Sequence, residues 1–173
     1  MRRVIIQVLA GLPPAQAYER ISDFARYKEL TSTVRQVTVH PADPDGSVVS
    51  DWTVTFRNGL LCWTERDYFE PERGVIRFVQ LTGDFERFEG EWCVEGAPGG
   101  AAITFDAVFD LGMPSLADIL DPVAEATLRD NILVILRGLM GEAAISQYPA
   151  EAPADHTDGR LLRAAEPLGG GRP

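Results

Sequence analysis

The sequence predicts an α+β domain: a curved antiparallel sheet of six or seven strands wrapped around one long C-terminal helix, with two short helices between strands 1 and 2. Three observations predict it. The hydrophobic period is close to two from Val34 to Leu111 and helical after Met113-Pro114. The strand-like runs are joined by short turns rich in Gly, Pro, Asn and Asp, which favours antiparallel neighbours. One long helix then packs economically on one face of the sheet, and a sheet curled around it leaves room for an internal cavity.

The elements follow in order. Arg3 to Leu9 is rich in β-branched residues and reads as a strand that Gly11-Leu12-Pro13-Pro14 ends. Ala15 to Asp23 reads as a helix started by the prolines, with Tyr18, Ile21 and Phe24 on one face, and Tyr27 to Thr31 as a second short helix. Strands are expected at Val34–Val39, Val48–Phe56, Leu60–Phe69, Val75–Leu81, Phe85–Val94 and Ala101–Leu111. Asn58-Gly59 is a strong hairpin signal between the second and third of these. The long helix is expected over Pro122–Met140, with Asp121 as its cap and Gly141 at its end.

The chain has 173 residues, the size of one domain. Residues 1–148 are read as that domain, and 149–173, rich in Ala, Pro, Gly and charge, as a disordered tail. Sixteen basic residues against 26 acidic ones give a net charge of −10. Nucleic acid and anionic membrane are therefore not expected as partners. Lys28 is the one lysine; the other basic residues are arginines, as a GC-rich coding bias produces. Cys62 and Cys93 lie in apolar runs and are expected to be buried free thiols. No signal-peptide pattern or 18-residue apolar stretch is visible, so a soluble cytoplasmic protein is expected.

Alternation assigns the faces. Val48, Ser50, Trp52, Val54 and Phe56 should face inward, as should Phe88, Gly90, Trp92 and Val94, and Ile103, Phe105, Ala107, Phe109 and Leu111. Gly90 marks a bend or bulge in the sheet, or a close contact with the long helix. The strand Leu60–Phe69 is the informative one. Leu60, Cys62, Thr64, Arg66 and Tyr68 carry one charge; Leu61, Trp63, Glu65, Asp67 and Phe69 carry two. Charge count places the first set inside, and with it Arg66. A two-residue turn at Asn58-Gly59 sets Thr53 opposite Thr64 and Asp51 opposite Arg66, which places Arg66 on a polar face unless a bulge intervenes. Arg66 then either forms an ion pair with Asp51 or Glu86, lies exposed, or holds a ligand oxyanion. Ser50, Thr64, Tyr68 and Gln80 are the other polar inward candidates. Trp52, Phe88, Trp92, Phe105 and Phe109 suit either a plain core or a flat ring ligand.

Other chemistry is thinly represented. Neither GxGxxG after a strand nor GxxxxGK[ST] occurs, and there is no GxSxG. His40 lies beside a turn and His156 in the tail, so no metal pair or catalytic triad is expected. Glu65, Asp67, Glu70 and Glu72 read as a solvated acidic face. No cofactor or metal is expected.

Several strings resemble the SRPBCC (START/Bet v 1-like, helix-grip) superfamily, most of all its polyketide cyclase/aromatase and Coq10-like branch. They are Asp23-Phe24-Ala25-Arg26-Tyr27-Lys28-Glu29-Leu30, Val34-Arg35-Gln36-Val37, Cys62-Trp63-Thr64-Glu65-Arg66-Asp67, Phe88-Glu89-Gly90-Glu91-Trp92 and the helix through Asn131 to Leu139. The resemblance covers about Arg3 to Gly141. It implies a helix-grip fold and an arginine that anchors a polyketide from a central strand, a position Arg66 matches. Tyr27 stands where the family usually has tryptophan, near the pocket mouth. Some aromatases add a pocket histidine and an aspartate on the long helix. No histidine matches here, and Asp130 is read as solvent-facing, which leaves aldol-type ring closure or simple binding.

The expected function is therefore that of a cytoplasmic polyketide cyclase/aromatase-like enzyme of antibiotic biosynthesis. It would bind a poly-β-ketone or aromatic intermediate, delivered by an acyl carrier protein, and direct aldol-type ring closure. Arg66 would stabilise the developing oxyanion, and Tyr68 or Tyr27 would relay a proton. Ser50, Trp52, Thr64, Gln80, Phe88, Trp92, Phe105 and Phe109 would hold the substrate, in a monomer or homodimer. The alternatives are a non-enzymatic carrier of a quinone or other hydrophobic molecule, and an interaction module with a vestigial cavity.

Overall fold

The computed structural model describes residues 1–141 and the backbone of 145–147. Strand β1 (Arg2–Ala10) leads through helix α1 (Pro14–Ser22), a 3-10 turn and helix α2 (Tyr27–Leu30) into six antiparallel strands. These are β2 (Val34–Val39), β3 (Val48–Phe56), β4 (Gly59–Glu70), β5 (Val75–Gly83), β6 (Arg87–Ala97) and β7 (Gly100–Asp110). Helix α3 (Ala117–Met140) follows, and a three-residue strand β8 (Ile145–Gln147) pairs with β1. The sheet order is β2-β3-β4-β5-β6-β7-β1-β8. Seven long strands around one long helix form the helix-grip arrangement. The tail expected over 149–173 lies outside the described residues, as does His156.

The burial pattern follows the alternation. Val4, Ile6 and Val8 of β1 meet Ile103, Phe105 and Ala107 of β7 under the apolar face of α3, where Ile132, Ile135, Leu136 and Leu139 are buried. Ala17 and Ile21 of α1 join the same core. Arg20 donates to the carbonyls of Leu139 and Met140 at 3.1 and 3.4 Å, satisfying orphan acceptors at the end of α3. Helix α2 crosses α3 at Gly138, where a Cβ would lie 2.0 Å from the Leu30 carbonyl oxygen. Arg129 of α3 donates to the Ile5 carbonyl of β1 at 3.0 Å.

Four expectations are corrected. Helix α3 begins five residues before Pro122, which sits inside it, and Asp121 is a buried helical residue beside Arg2 rather than a cap. Gly90 marks no bulge, since the β6–β7 register runs through it without a shift, and its close approach is to the neighbouring strand rather than the helix: a Cβ would lie 2.3 Å from the Asp106 carbonyl oxygen. Cys62 is exposed and Cys93 half-buried, both free, because both fall on the outer face of the sheet. The β3–β4 turn comes one residue earlier than expected: Phe56 pairs with Gly59 across Arg57 and Asn58, and Arg57 takes φ 53°.

Candidate functional site

That turn fixes the faces of β4. Moving it by one residue slides the pairing by two, so Asp51 faces Thr64 and Val49 faces Arg66. A slide of two keeps the alternation intact. Leu61, Trp63, Glu65 and Asp67 therefore share the inner face with Val54, Trp52, Ser50 and Val48. The charge-count expectation is overturned: the face with two carboxyls lies inside and Arg66 lies outside.

Arg66 is held on the outer face by the Asp43 carboxylate and by Ser47 Oγ at 2.8 Å, pinning the β2–β3 turn. Its partner is thus neither Asp51 nor Glu86. Tyr68, on the same face, is exposed. Thr64 also points outward and donates to Asp51 Oδ1 at 2.6 Å, while His40 Nε2 lies 2.6 Å from Asp51 Oδ2. These side chains do not reach the interior. The expected solvated acidic face also divides. Glu70 pairs with Arg73 and Arg77 at the surface, whereas Glu65 and Asp67 are 5% and 0% exposed.

Glu65 and Asp67 stand in the wall of an aromatic cavity between the sheet and α3. Trp63 and Trp52 stack with their ring planes 8° apart and centroids 6.0 Å apart. Trp52 meets Tyr27 and Phe24 edge-on, and Trp63 meets Phe85 and Phe88 edge-on. Phe88, Trp92, Phe105 and Phe109 line the wall as well. The half-buried lining residues are Phe56, Leu61 and Trp63 of the β3–β4 hairpin and Leu128 and Asn131 of α3, so the cavity meets solvent between hairpin and helix. Asn131 Nδ2 spans that seam to the Thr55 carbonyl at 2.8 Å. The cavity holds about 80 Å³, below the roughly 300 Å³ at which small-molecule pockets usually begin. A multi-ring ligand needs these mouth side chains to move.

The polar groups form a chain anchored behind the wall. The Trp52 indole N–H donates to Ser50 Oγ at 2.8 Å, and the Ser50 hydroxyl donates to Asp67 Oδ2 at 2.6 Å. The Trp63 indole N–H donates to Glu65 Oε2 at 2.6 Å. The opposite oxygen, Asp67 Oδ1, is buried with no donor from these side chains. Glu65 and Asp67 share the inner face of β4, and each perturbs the titration of the other. Burial, then the neighbouring Asp67, pushes Glu65 well above the usual carboxylate range. Burial also raises Asp67, to about 6, against the pull of Ser50 and Glu65. Burial thus favours the protonated form of both carboxyls, and ionising one raises the cost of ionising the other. Burial, followed by Glu65 and Asp67, likewise raises the Tyr27 phenol well above its usual value.

Of the remaining sequence candidates, Ser50 lies inside but behind the wall, serving Asp67. Gln80 faces inward opposite Glu65, beside a shift of register in β5, and donates to the Phe85 carbonyl at 2.8 Å. Tyr27 lines the cavity, with its hydroxyl given to the Ile21 carbonyl at 2.5 Å. The residues that sequence reasoning missed are Glu65, Asp67 and Trp63. A signal for them was present: their strand is in phase with the apolar face of β3 through any two-residue hairpin turn.

A family model described as polyketide cyclase/dehydrase and lipid transport matches residues 11–133. No curated protein matches. Among solved structures, a Thermus thermophilus protein is 22% identical over 80% of this chain and 94% of its own, with a TM-score of 0.74. The Zhui aromatase/cyclase from Streptomyces sp. R1128 is 23% identical over 82% of this chain and 93% of its own, with a TM-score of 0.69. A START superfamily protein from Mycobacterium smegmatis is 17% identical over 82% and 98%, also with a TM-score of 0.69. At such identities these neighbours share the fold, and the match over well over half of the sequence shows the family. This chain belongs to the polyketide cyclase/dehydrase and lipid transport family.

Proposed function

We propose that this protein is a cyclase that binds a poly-β-ketone or aromatic polyketide intermediate in its apolar cavity and directs aldol-type ring closure. The observation that supports this reading is the buried carboxyl pair Glu65 and Asp67 in an aromatic wall. Arg66 has no place in this reading, because it is spent on Asp43 outside the sheet.

The chemistry balances within the pair. The Asp67 carboxylate removes a proton from a methylene between two carbonyls, and the C–H electron pair becomes an enolate. As that carbon attacks a second carbonyl, the new C–C bond forms and the carbonyl oxygen takes the proton of Glu65, giving a β-hydroxy ketone. Asp67 is then protonated and Glu65 ionised, and a shift of the proton from Asp67 to Glu65 restores the pair. A raised carboxyl value makes Asp67 a stronger base than an exposed aspartate and keeps Glu65 an available acid. Trp52, Trp63, Phe88, Trp92, Phe105 and Phe109 would hold the chain so that the correct carbons meet.

The test is product analysis with Asp67→Asn and Glu65→Gln in a reconstituted polyketide synthase assay. Ring-directed product should fall by about 100-fold or more. Folded variants that leave product distribution and rate unchanged would sink the reading.

One observation favours a second reading, a carrier of a quinone or other hydrophobic molecule. Among the described residues, no arginine, lysine or histidine lines the cavity, and an apolar cargo needs no counter-charge. Native mass spectrometry of protein from its own host, showing an intact quinone or lipid, would decide for the carrier.

A further inference from the structure

The hydrogen-bond inventory around the carboxyl pair is lopsided. The Tyr27 hydroxyl is spent on the Ile21 carbonyl, the Trp52 indole on Ser50 and the Trp63 indole on Glu65, while the Asn131 amide gives one of its two N–H groups to the Thr55 carbonyl at the cavity mouth. Trp92 lies two strands away, opposite Ile76 and Phe105. What the wall near the pair still offers is acceptor capacity, above all Asp67 Oδ1, which is buried with no hydrogen-bond donor. The aromatic faces of Trp52 and Trp63 also favour positive over negative charge.

From this inventory we infer that the ligand enters with a hydrogen-bond donor, an enol or phenol hydroxyl or an ammonium group, directed at Asp67, and that the site favours such donors over acceptor-only ligands and disfavours anionic ones. This rests on the reading of the cavity as the ligand site. A donor satisfies the orphan oxygen, whereas a carbonyl meets an acceptor already in place. A free carboxylate would add a third acidic group to a dry wall that already holds two. An acyl substrate must therefore arrive with its carboxyl masked, as an ester or thioester. A β-dicarbonyl chain meets the donor requirement in its enol form.

The pair also makes ammonium binding depend on pH. A cation beside it favours ionised Asp67, whose value is raised to about 6, so its affinity should rise between pH 5 and pH 8. The titratable groups facing one another here are Tyr27 from α2 and the two carboxyls themselves. The phenol is held neutral over that range.

The experiment uses four single-ring probes of nearly equal shape: benzylamine, benzyl alcohol, benzaldehyde and benzoate. Binding to the full chain is read from the indole N–H resonances of Trp52 and Trp63. Benzylamine and benzyl alcohol, which separate the two donor sources, should each bind at least about 10-fold tighter than benzaldehyde, equivalent to about 1.4 kcal/mol. Benzoate should bind weakest. Asp67→Asn, or Glu65→Gln if the first does not fold, should erase the amine preference and its pH dependence. Benzaldehyde or benzoate binding as tightly as both donors would overturn the inference and leave the cavity reading standing. Failure of all four probes to bind would overturn both.

Discussion

The two faces of β4 handle charge in opposite ways. On the outer face Arg66 and Thr64 meet Asp43, Ser47 and Asp51 beside water, as ion pairs and hydrogen bonds that tie the β2–β3 turn to the sheet. On the inner face Glu65 and Asp67 are buried with no cation, held by Trp63 and Ser50. Solvent screens the outer pairs and makes each worth little. The inner pair carries a desolvation cost that the fold tolerates. Such uncompensated burial is the kind of local penalty that proteins concentrate at working sites.

Four predictions probe this contrast. The largest effect is expected on chemistry. Asp67→Asn should lower cyclisation by about 100-fold or more, whereas Arg66→Ala, two strand positions from Thr64 on the outer face, should change it less than about threefold by the same product assay. An equal loss from both would erase the distinction between the faces.

The next largest effect concerns packing. Trp63→Ala removes a half-buried ring stacked on Trp52 and touching Phe85 and Phe88. It should cost about 2–4 kcal/mol in urea unfolding. Tyr68→Ala on the outer face should stay within about 0.5 kcal/mol.

The third prediction is a pH dependence. Asp67 has its folded value raised from 3.8 to about 6. The folded state then binds more protons than the unfolded state, so this group's contribution is most favourable below about pH 4 and is lost as pH rises through about 6. Asp67→Asn removes that loss. Its melting temperature should match wild type near pH 4 and exceed it at pH 8, by on the order of 2 kcal/mol of stability. A difference that does not change with pH would show that Asp67 is not desolvated in the folded state.

The smallest effect is expected outside. Arg66→Ala should cost about 1 kcal/mol or less, and the difference should shrink in high salt. A larger, salt-independent loss would mean that Arg66 does more than pin a turn.

Most of the architecture was legible in the chain. The strand Val48–Phe56 and the short helix at Tyr27 occupy nearly their expected ranges, because period and turn residues are local signals. The inner set of β3 was legible too, since its alternate members are more polar. The candidate site was not. Counting charges on β4 treats a buried carboxyl as an intact charge. A carboxyl can instead keep its proton and bond to Ser50, Trp63 or its neighbour, whereas a guanidinium cannot shed its charge.

By itself the sequence determined the element order, the alternation of each strand and the aromatic content of the sheet. Each of these depends on residues within a few positions of one another. Only the tertiary structure decided which face of β4 turned inward, that Glu65 and Asp67 meet, and that Arg66 is taken by Asp43. Those outcomes depend on a turn at Arg57-Asn58, on the approach of α2 and α3, and on the loss of water around two carboxyls. Desolvation depends on everything packed around a group, and no window along the chain contains it.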